Sequence, residues 1–344
     1  MLIDWVTARV PLDRLSPVAL DAARSMGDRI VRYCPKSGDV RYESGAWDSV
    51  RSDSHQLAAR AGTDLWVQGS PARVIGDGCT VFGSGASSAL DLAGCVRRMV
   101  AFLSGRLGVE LPDSGDWIVS RVDVTENLCL DDLTQVKEAL TVLRGTEGGR
   151  YKVQAKDGDS VYWSPKSKLR KGKAYAKGPH LRYLMKKKGY TGRRYVEEEI
   201  AAASRLIRLE LTLGREWFAR NGSPQAIAPA RLEHEWESYF GRMLGDAEVS
   251  DMARDIEERI KAAATSEGEG KSAYLCWLVI RERGWTQAQS MYTRPTWYRH
   301  LKVIRRAGFG DADISLGQVV PFRRVHLRAS VVRSWPELLH AASA

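Results

Sequence analysis

One tyrosine of the chain lies between two lysines at a spacing that suits nucleophilic chemistry. In the segment Lys173-Ala174-Tyr175-Ala176-Lys177, alternate residues of an extended strand share a face, so both ammonium groups would flank the phenol. A phenol titrates near pH ~10 and is a poor nucleophile when neutral, and positive charge or a metal ion would favour the phenolate. The pattern predicts Tyr175 as a nucleophile with Lys173 and Lys177 beside it. The alternative is a tyrosine that packs at the edge of a sheet.

Two carboxylates occupy equivalent places in two other strand-like segments. Asp123 and Glu210 each lie in a run of alternating polar and apolar residues, two positions after Arg121 and Arg208 respectively. Hard divalent cations such as Mg²⁺ or Mn²⁺ take oxygen ligands and are commonly held by one or two carboxylates together with substrate phosphate and water. Asp123 and Glu210 are therefore candidate metal ligands. Spacing alone favours the alternative, in which each is an ordinary surface partner of its arginine.

These residue types suit attack on a phosphodiester. A phenolate that attacks phosphorus in line would form a covalent 5′-phosphotyrosine and release a 3′-OH, which conserves the bond energy for later rejoining. Electrostatic stabilisation by Lys173, Lys177 and Arg208 would support the pentavalent phosphorane. Hydrolase triads are a weaker hypothesis, because the six histidines are dispersed and no G-x-S-x-G or H-x-H pattern occurs.

The positive charge of the chain is concentrated around Tyr175. Residues 151–196 hold fourteen Lys and Arg residues against two acids, whereas the whole chain of 344 residues has a net charge of +10. Such a patch attracts nucleic acid, and interleaved aromatic residues favour contact with single strands. A solvated basic loop is the alternative. The candidate DNA contacts in and beside this region are Arg121, Trp163, Lys166, Ser167, Lys168, Arg170 and Arg208.

Composition sets broad limits on the class of protein. The hydrophobic content of 44% and charged content of 27% are typical of a folded globular chain, and the length predicts two domains. Five scattered cysteines without a C-x-x-C pair predict neither a disulfide framework nor a zinc site. The N-terminus lacks the layout of a signal peptide, and no apolar run approaches ~18 residues. These features predict a protein of the cytoplasm without a membrane partner.

Hydrophobic periodicity predicts an α+β fold in which helices flank an antiparallel sheet. The predicted strands are 2–10, 65–67, 74–75, 117–125, 160–163, 173–177 and 205–213, and the predicted helices of this part are 88–107, 130–144 and 194–203. The strand alternation places Asp123, Tyr175 and Glu210 on one face of this sheet.

The chain becomes helical beyond about residue 222, which predicts a catalytic domain over 1–222 and a helical DNA-binding or accessory domain over 223–344. The tract 266–270 has the composition of a linker. The helices 273–283, 286–291 and 293–307 that follow suggest a helix-turn-helix. On the last of them the candidate DNA contacts are Arg294, Trp297, Arg299 and Lys302. The alternative is an amphipathic core helix.

The order of these segments resembles the replication initiators of filamentous phages, the gene II/X protein family, and more distantly plasmid rolling-circle initiators. The resembling blocks are Ile3-Asp4, Ser70-Pro71-Ala72-Arg73-Val74, Val81-Phe82-Gly83, 120–125, the basic tyrosine segment, Arg208-Leu209-Glu210 and Val319-Val320-Pro321. The chain departs from the family at Thr80, where the family often has Asn, and it lacks the histidine pair that holds the metal in other rolling-circle nickases.

The resemblance implies that Tyr175 is the nucleophile of a site-specific DNA nicking and strand-joining enzyme, and that Asp123 and Glu210 hold its metal. It further implies single-stranded and double-stranded origin DNA and a host replication helicase as partners. Two other interpretations stay open. One is a non-enzymatic DNA-binding regulator in which Tyr175 only packs, and the other is a plasmid-type relaxase or initiator.

Overall fold

The computed structural model describes residues 1–27, 29–34, 37, 39–45, 48–52, 55–74, 81–146, 153–155, 160–188, 190, 192–244, 253–317 and 331–340. Two features of the family resemblance, Thr80 and the block 319–321, lie outside the described residues.

Nine of the strands in the described part of the chain form one antiparallel sheet, which confirms the α+β class. In chain order the strands are β1 (Leu2–Pro11), β2 (Arg29–Tyr33), β3 (Val40–Gly45), β4 (Asp48–Ser52), β5 (His55–Ala61), β6 (Asp64–Gly69), β7 (Ile118–Cys129), β8 (Val153–Ala155), β9 (Ser160–Trp163), β10 (Arg170–Ala176) and β11 (Leu206–Gly214). Their order in the large sheet is β4-β5-β6-β1-β7-β11-β10-β9-β8, and β2 pairs with β3.

Fourteen α-helices in the described part of the chain accompany the strands. They are α1 (Pro17–Arg24), α2 (Pro71–Val74), α3 (Leu92–Leu107), α4 (Leu133–Arg144), α5 (Lys177–Lys186), α6 (Glu197–Ala203), α7 (Arg215–Asn221), α8 (Pro229–Met243), α9 (Ala253–Ala262), α10 (Glu267–Arg283), α11 (Trp285–Ser290), α12 (Arg294–Arg306), α13 (Asp311–Leu316) and α14 (Trp335–His340). Within the described ranges, no helix combines the length and apolarity needed to cross a bilayer.

Side-chain caps set the starts of the helices that pack on the sheet. The Asp91 carboxylate accepts a hydrogen bond of 2.8 Å from the Gly94 backbone N–H at the start of α3. Gly108 ends the same helix with φ 66°, a left-handed conformation that glycine adopts without steric cost. At the start of α4, the Asp132 carboxylate accepts a bond of 2.8 Å from Gln135 N–H. Both helices therefore begin where the sequence offers a capping acid.

The main hydrophobic core lies between the apolar face of the sheet and helices α3, α4 and α8. On β11, Leu209 and Leu211 are fully buried in this core. Trp236 and Phe240 of α8 belong to the same core, and the Trp236 indole N–H donates to the Leu209 carbonyl at 3.2 Å. Helix α8 therefore packs against the sheet, and the predicted domain boundary at residue 222 stays a prediction.

Helices α9, α10, α11, α12 and α13 pack around a second hydrophobic core. Its buried side chains include Ile256, Trp277, Trp297 and Ile304. The predicted linker over 266–270 is wrong, because this tract lies in the first turns of α10. The Ser266 hydroxyl caps α10 by accepting a bond of 3.2 Å from Glu269 N–H. Helices α10, α11 and α12 follow one another as predicted, but a helix-turn-helix motif is not confirmed.

The predicted strand 74–75 is wrong at Val74, and Ile75 lies outside the described residues. Residues Pro71–Val74 form the short helix α2, and the Ser70 carbonyl accepts bonds from the N–H groups of Arg73 and Val74. Proline at the first position of a helix has the required φ and has no N–H that would remain unpaired. The turn chemistry of Ser70-Pro71 thus outweighs the local strand propensity.

Candidate active site

Three neighbouring strands carry the candidate residues on one face of the sheet. Between β10 and β11, Tyr175 lies opposite Arg208 and Lys173 lies opposite Glu210. Asp123 lies on β7, two positions before the residue that faces Glu210. Because directly opposed residues of antiparallel strands point to the same side, these side chains share one surface. The structure thus brings Tyr175, Glu210 and Asp123 together, as the alternation predicted.

Arg208 is the centre of this surface, and its guanidinium is fully buried. It donates 2.8 Å from Nε to Asn127 Oδ1 and 3.1 Å from Nη1 to Asp4 Oδ2, and Nη2 donates to the Val81 carbonyl. It also lies opposite Tyr175 of the neighbouring strand, and its charge favours the ionised form of the Tyr175 hydroxyl. A buried guanidinium is costly unless its donors are paired, and these partners provide that pairing.

The Tyr175 ring is enclosed on this surface, with 4% of the residue exposed. The Lys173 ammonium lies 4.0 Å from the ring centroid, and the Lys177 nitrogen lies 5.9 Å from it. The His180 ring meets it edge-on at 4.8 Å between centroids. Tyr175 is therefore buried among charged and polar groups, and it does not belong to the apolar face.

The pKa of Tyr175 is raised well above its ordinary value. Burial is the main cause, and Glu210 and Asp4 act in the same direction, whereas Arg208 opposes them. We expected flanking lysines to lower this pKa, and that expectation is wrong in this structure. The cost of removing a phenolate from water exceeds the attraction of its cationic neighbour.

Lys177 and His180 are also perturbed by burial. The pKa of Lys177 is lowered well below its usual value, because the amine is buried and Arg208 repels its charged form. Burial, followed by Lys177 and Lys173, lowers the pKa of His180 to about 3. Both shifts favour the neutral forms. The predicted role of Lys177 as a permanent positive charge therefore does not fit its surroundings.

The carboxylates form a second group on the same face. Burial raises the pKa of Glu210 to about 7; Lys173 opposes this shift, whereas Asp123 and Asp4 contribute to it. The Lys173 ammonium lies 3.9 Å from the Glu210 carboxylate. Asp123 is 2% exposed and accepts two bonds from Arg121, at 2.9 and 2.5 Å. The carboxylates of Asp123 and Glu210 thus lie on one face, and the nearby cations do not fully offset the repulsion between them.

Thr125 adds an oxygen to this group. It is fully buried opposite Glu210, and its hydroxyl has no hydrogen-bond partner among the described residues. Within the described ranges no three His, Cys, Asp or Glu side chains are grouped closely enough to hold a metal ion. Asp123, Thr125 and Glu210 nevertheless form a donor set of hard oxygens. That chemistry fits Mg²⁺ or Mn²⁺ with substrate and water as further ligands.

Trp163 does not lie on this surface. It is fully buried in the main core, where its ring packs against Phe240 at 6.2 Å between centroids. The predicted contact of Trp163 with DNA is therefore wrong in this structure. Along β9 side chains alternate between faces, and position 163 points to the apolar side.

The other predicted DNA contacts fall into two groups. In the connection between β9 and β10, Lys166 and Lys168 are exposed. The Ser167 hydroxyl accepts bonds of 3.2 Å from two backbone N–H groups of the same turn, and Arg170 pairs with Glu235 at 3.0 Å. Contact of this turn with DNA stays a prediction.

On α12, Arg294, Arg299 and Lys302 are exposed. Trp297 is 1% exposed and its ring packs against Trp285, with 5.0 Å between centroids. Its predicted contact with DNA is therefore wrong, since an amphipathic helix buries its aromatic face in the core. The exposed cations of α12 stay candidate DNA contacts.

Four residues of the site were not identified from the sequence, namely Asp4, Asn127, Thr125 and His180. Asp4 was visible only as part of the Ile3-Asp4 block. Thr125 and Asn127 continue the alternation that begins at Arg121, so the face of β7 was the available signal. His180 lies in the first turn of α5, which begins directly after β10 and turns back toward Tyr175.

A family model identifies the chain as a replication-associated protein. The chain belongs to the phage family of the replication-associated protein of gene II, whose N-terminal model matches residues 2–239. Among solved structures, the rolling circle replication initiator protein from Geobacillus stearothermophilus is similar at 12% identity, over 66% of this chain and 78% of that chain, with a TM-score of 0.30. No curated protein matches the chain.

Proposed function

We propose that the chain is a phage rolling-circle replication initiator, a metal-dependent endonuclease that nicks and rejoins origin DNA through a phosphotyrosine at residue 175. The observation that carries this proposal is the position of Tyr175 directly opposite the buried Arg208 in the sheet, on a face that also holds Glu210 and Asp123. A tyrosine that only packs would not require a buried guanidinium opposite it. Membership of the replication-associated family supports replication as the process served.

In the proposed step, the Tyr175 oxygen attacks the phosphorus of the scissile phosphodiester. The phosphorus–O3′ bond breaks, the 5′-phosphate stays on the tyrosine, and the leaving 3′-oxygen takes a proton from solvent. The phenol proton passes to Lys177, whose lowered pKa favours a neutral amine that can accept it. Attack by a 3′-OH on the phosphotyrosine reverses the reaction and joins strands.

Arg208 has the main electrostatic role in this proposal. Its charge opposes the rise in the Tyr175 pKa, so it stabilises negative charge as the phenol loses its proton. Lys173 lies over the ring, and its side chain is 24% exposed, whereas Lys177 and Arg208 are buried. We propose that Lys173 lies on the side from which the DNA strand enters, and that it contacts the scissile phosphate there.

A divalent cation would be held by Asp123 and Glu210, with the Thr125 hydroxyl as the neutral oxygen between them. When bound, it would supply charge neutralisation at the phosphate. The residues of the chain must rearrange for it, because Arg121 occupies both oxygens of Asp123. The Arg121 side chain is 45% exposed, so it can turn away and contact DNA.

Origin DNA is the proposed substrate, as duplex for recognition and as a single strand at Tyr175. The exposed Lys166 and Lys168 beside β10 are proposed to attract the phosphate backbone. A host replication helicase is the proposed partner that unwinds the nicked duplex.

The test is formation of a covalent protein–DNA adduct on single-stranded origin DNA with Mg²⁺. Tyr175→Phe should abolish the adduct, with a loss of at least about 10³-fold, because the nucleophilic oxygen is removed. Tyr183→Phe is the matched control, since Tyr183 lies on α5 and is 64% exposed. A chelator should also prevent the adduct in the wild type. Unchanged adduct in Tyr175→Phe would overturn the assignment.

The same assay separates the alternatives. A non-enzymatic DNA-binding regulator would bind DNA equally in both variants and form no adduct. A plasmid-type relaxase or initiator would form the adduct at Tyr175 but would prefer a plasmid origin over a phage origin.

A further inference from the structure

A cavity of about 350 Å³ lies at the opposite end of β10 from Tyr175. It opens between the β9–β10 turn, α7, α8 and α13. Its polar lining includes three arginines, Arg170, Arg220 and Arg242, and the hydroxyls of Ser167 and Ser238. The volume lies within the range of pockets that hold small ligands or parts of larger ones.

The ion pairs around the cavity leave an excess of positive charge. Glu235 is shared by Arg170 and Arg231, each at 3.0 Å. Asp311 is likewise shared by Arg242 at 3.4 Å and Arg305 at 2.9 Å. Four guanidinium groups therefore share two carboxylates. Each carboxylate holds its arginines in place without neutralising them.

Arg220 adds a further positive charge to this cavity. It is exposed on α7 and has no carboxylate partner among the described residues. The planar fork of a guanidinium matches the oxygens of a phosphate, and serine hydroxyls are suitable additional donors. Asp311 is the single acid in the described lining, and its two arginines already occupy it.

We propose that this cavity binds a backbone phosphate of origin DNA, away from the phosphate that reacts at Tyr175. The inference rests on the proposed function, in which origin DNA is the polyanionic substrate. Arg220 contacts the phosphate directly, and Arg170 and Arg242 are held at the cavity by Glu235 and Asp311. The cavity positions the DNA strand along β10. Arg170 at the start of β10 lines the cavity, and Tyr175 near the end of β10 is the nucleophile.

The test compares Arg220→Gln with Arg215→Gln, both in a Tyr175→Phe background so that binding is measured without cleavage. Arg215 is a matched control, because it is exposed on the same helix and lies outside the cavity lining. The measurement is fluorescence anisotropy of labelled origin duplex over a range of salt concentrations. Arg220→Gln should weaken binding about tenfold and reduce the salt slope by about 0.9, the value for one phosphate contact.

Equal behaviour of the two variants would overturn the proposal, since a general loss of charge would then account for both. A second arm titrates inorganic phosphate against bound DNA at constant ionic strength. If phosphate occupies the cavity while Arg220→Gln leaves DNA binding unchanged, the cavity holds a free phosphate compound and the DNA assignment fails. Failure of the nicking proposal would be recognised separately, by the adduct assay with Tyr175 intact.

Discussion

Two cationic regions of this protein hold their charges in opposite ways. On the polar face of the sheet, the Arg208 guanidinium is fully buried and bonded to Asp4, Asn127 and a backbone carbonyl. On α12, Arg299 and Lys302 extend into solvent from a helix whose other side is buried. Both regions are basic in sequence, but only the first removes its charges from water.

The difference explains what each region can do. Burial shifts the pKa values of Tyr175, Lys177 and Glu210 in directions that favour their neutral forms, and perturbed groups of this kind are typical of functional sites. Solvated cations contribute mainly long-range attraction, which salt screens. The sheet face is therefore the proposed site of chemistry, and the exposed cations of α12 stay candidates for DNA attraction.

The largest expected effect is the loss of Arg208. Arg208→Met leaves the Asp4 carboxylate and the Asn127 amide oxygen without their buried partner, so unfolding free energy should fall by about 3–5 kcal/mol. Arg299→Met removes the same charge from α12 and should change it by less than about 0.5 kcal/mol. Urea denaturation measures both. Similar losses in the two variants would remove the contrast between the regions.

The next effect is pH dependence at Glu210. Its pKa of about 7 in the folded protein is above the ordinary value of 4.5, so the folded state keeps a proton that the unfolded state has lost. Stability should therefore fall as pH rises through that window and remain lower above it. Urea denaturation at about pH 5 and about pH 8 measures this loss. Between these pH values the free energy of unfolding should fall by about 1–3 kcal/mol less in Glu210→Gln than in the wild type.

Glu233→Gln is the control for that measurement, because Glu233 is exposed on α8. It should keep the pH dependence of the wild type. An identical pH profile in Glu210→Gln and the wild type would show that Glu210 does not carry the proton.

The smallest effect on stability is expected on α12. The double variant Arg299→Gln, Lys302→Gln should leave the free energy of unfolding within about 0.5 kcal/mol. Binding to duplex DNA should weaken by a similar factor for origin and scrambled sequences, since phosphate contacts carry no base information. Anisotropy measurements would check this. Unchanged binding would make α12 a solvated face of the second core.

The alternation of polar and apolar residues was enough to place the site on one face of the sheet. For example, Leu209 and Leu211 must enter the core, so Arg208 and Glu210 must point to the other side. Trp163 shows the limit of composition-based reasoning, because an aromatic residue in a basic segment was assigned to DNA while its strand position faces the core. The predicted contact of Trp297 with DNA is wrong for the same reason, since its position on α12 faces the second core.

The sequence by itself determined the antiparallel class, the shared face of Asp123, Tyr175 and Glu210, and the family resemblance, because these depend on local periodicity and on residue order. Only the tertiary structure decided that Asp4 lies beside Arg208, more than 200 positions away in the chain. It also decided the direction of the Tyr175 pKa. Burial depends on the elements that close over a strand, and no local pattern encodes how much water they leave.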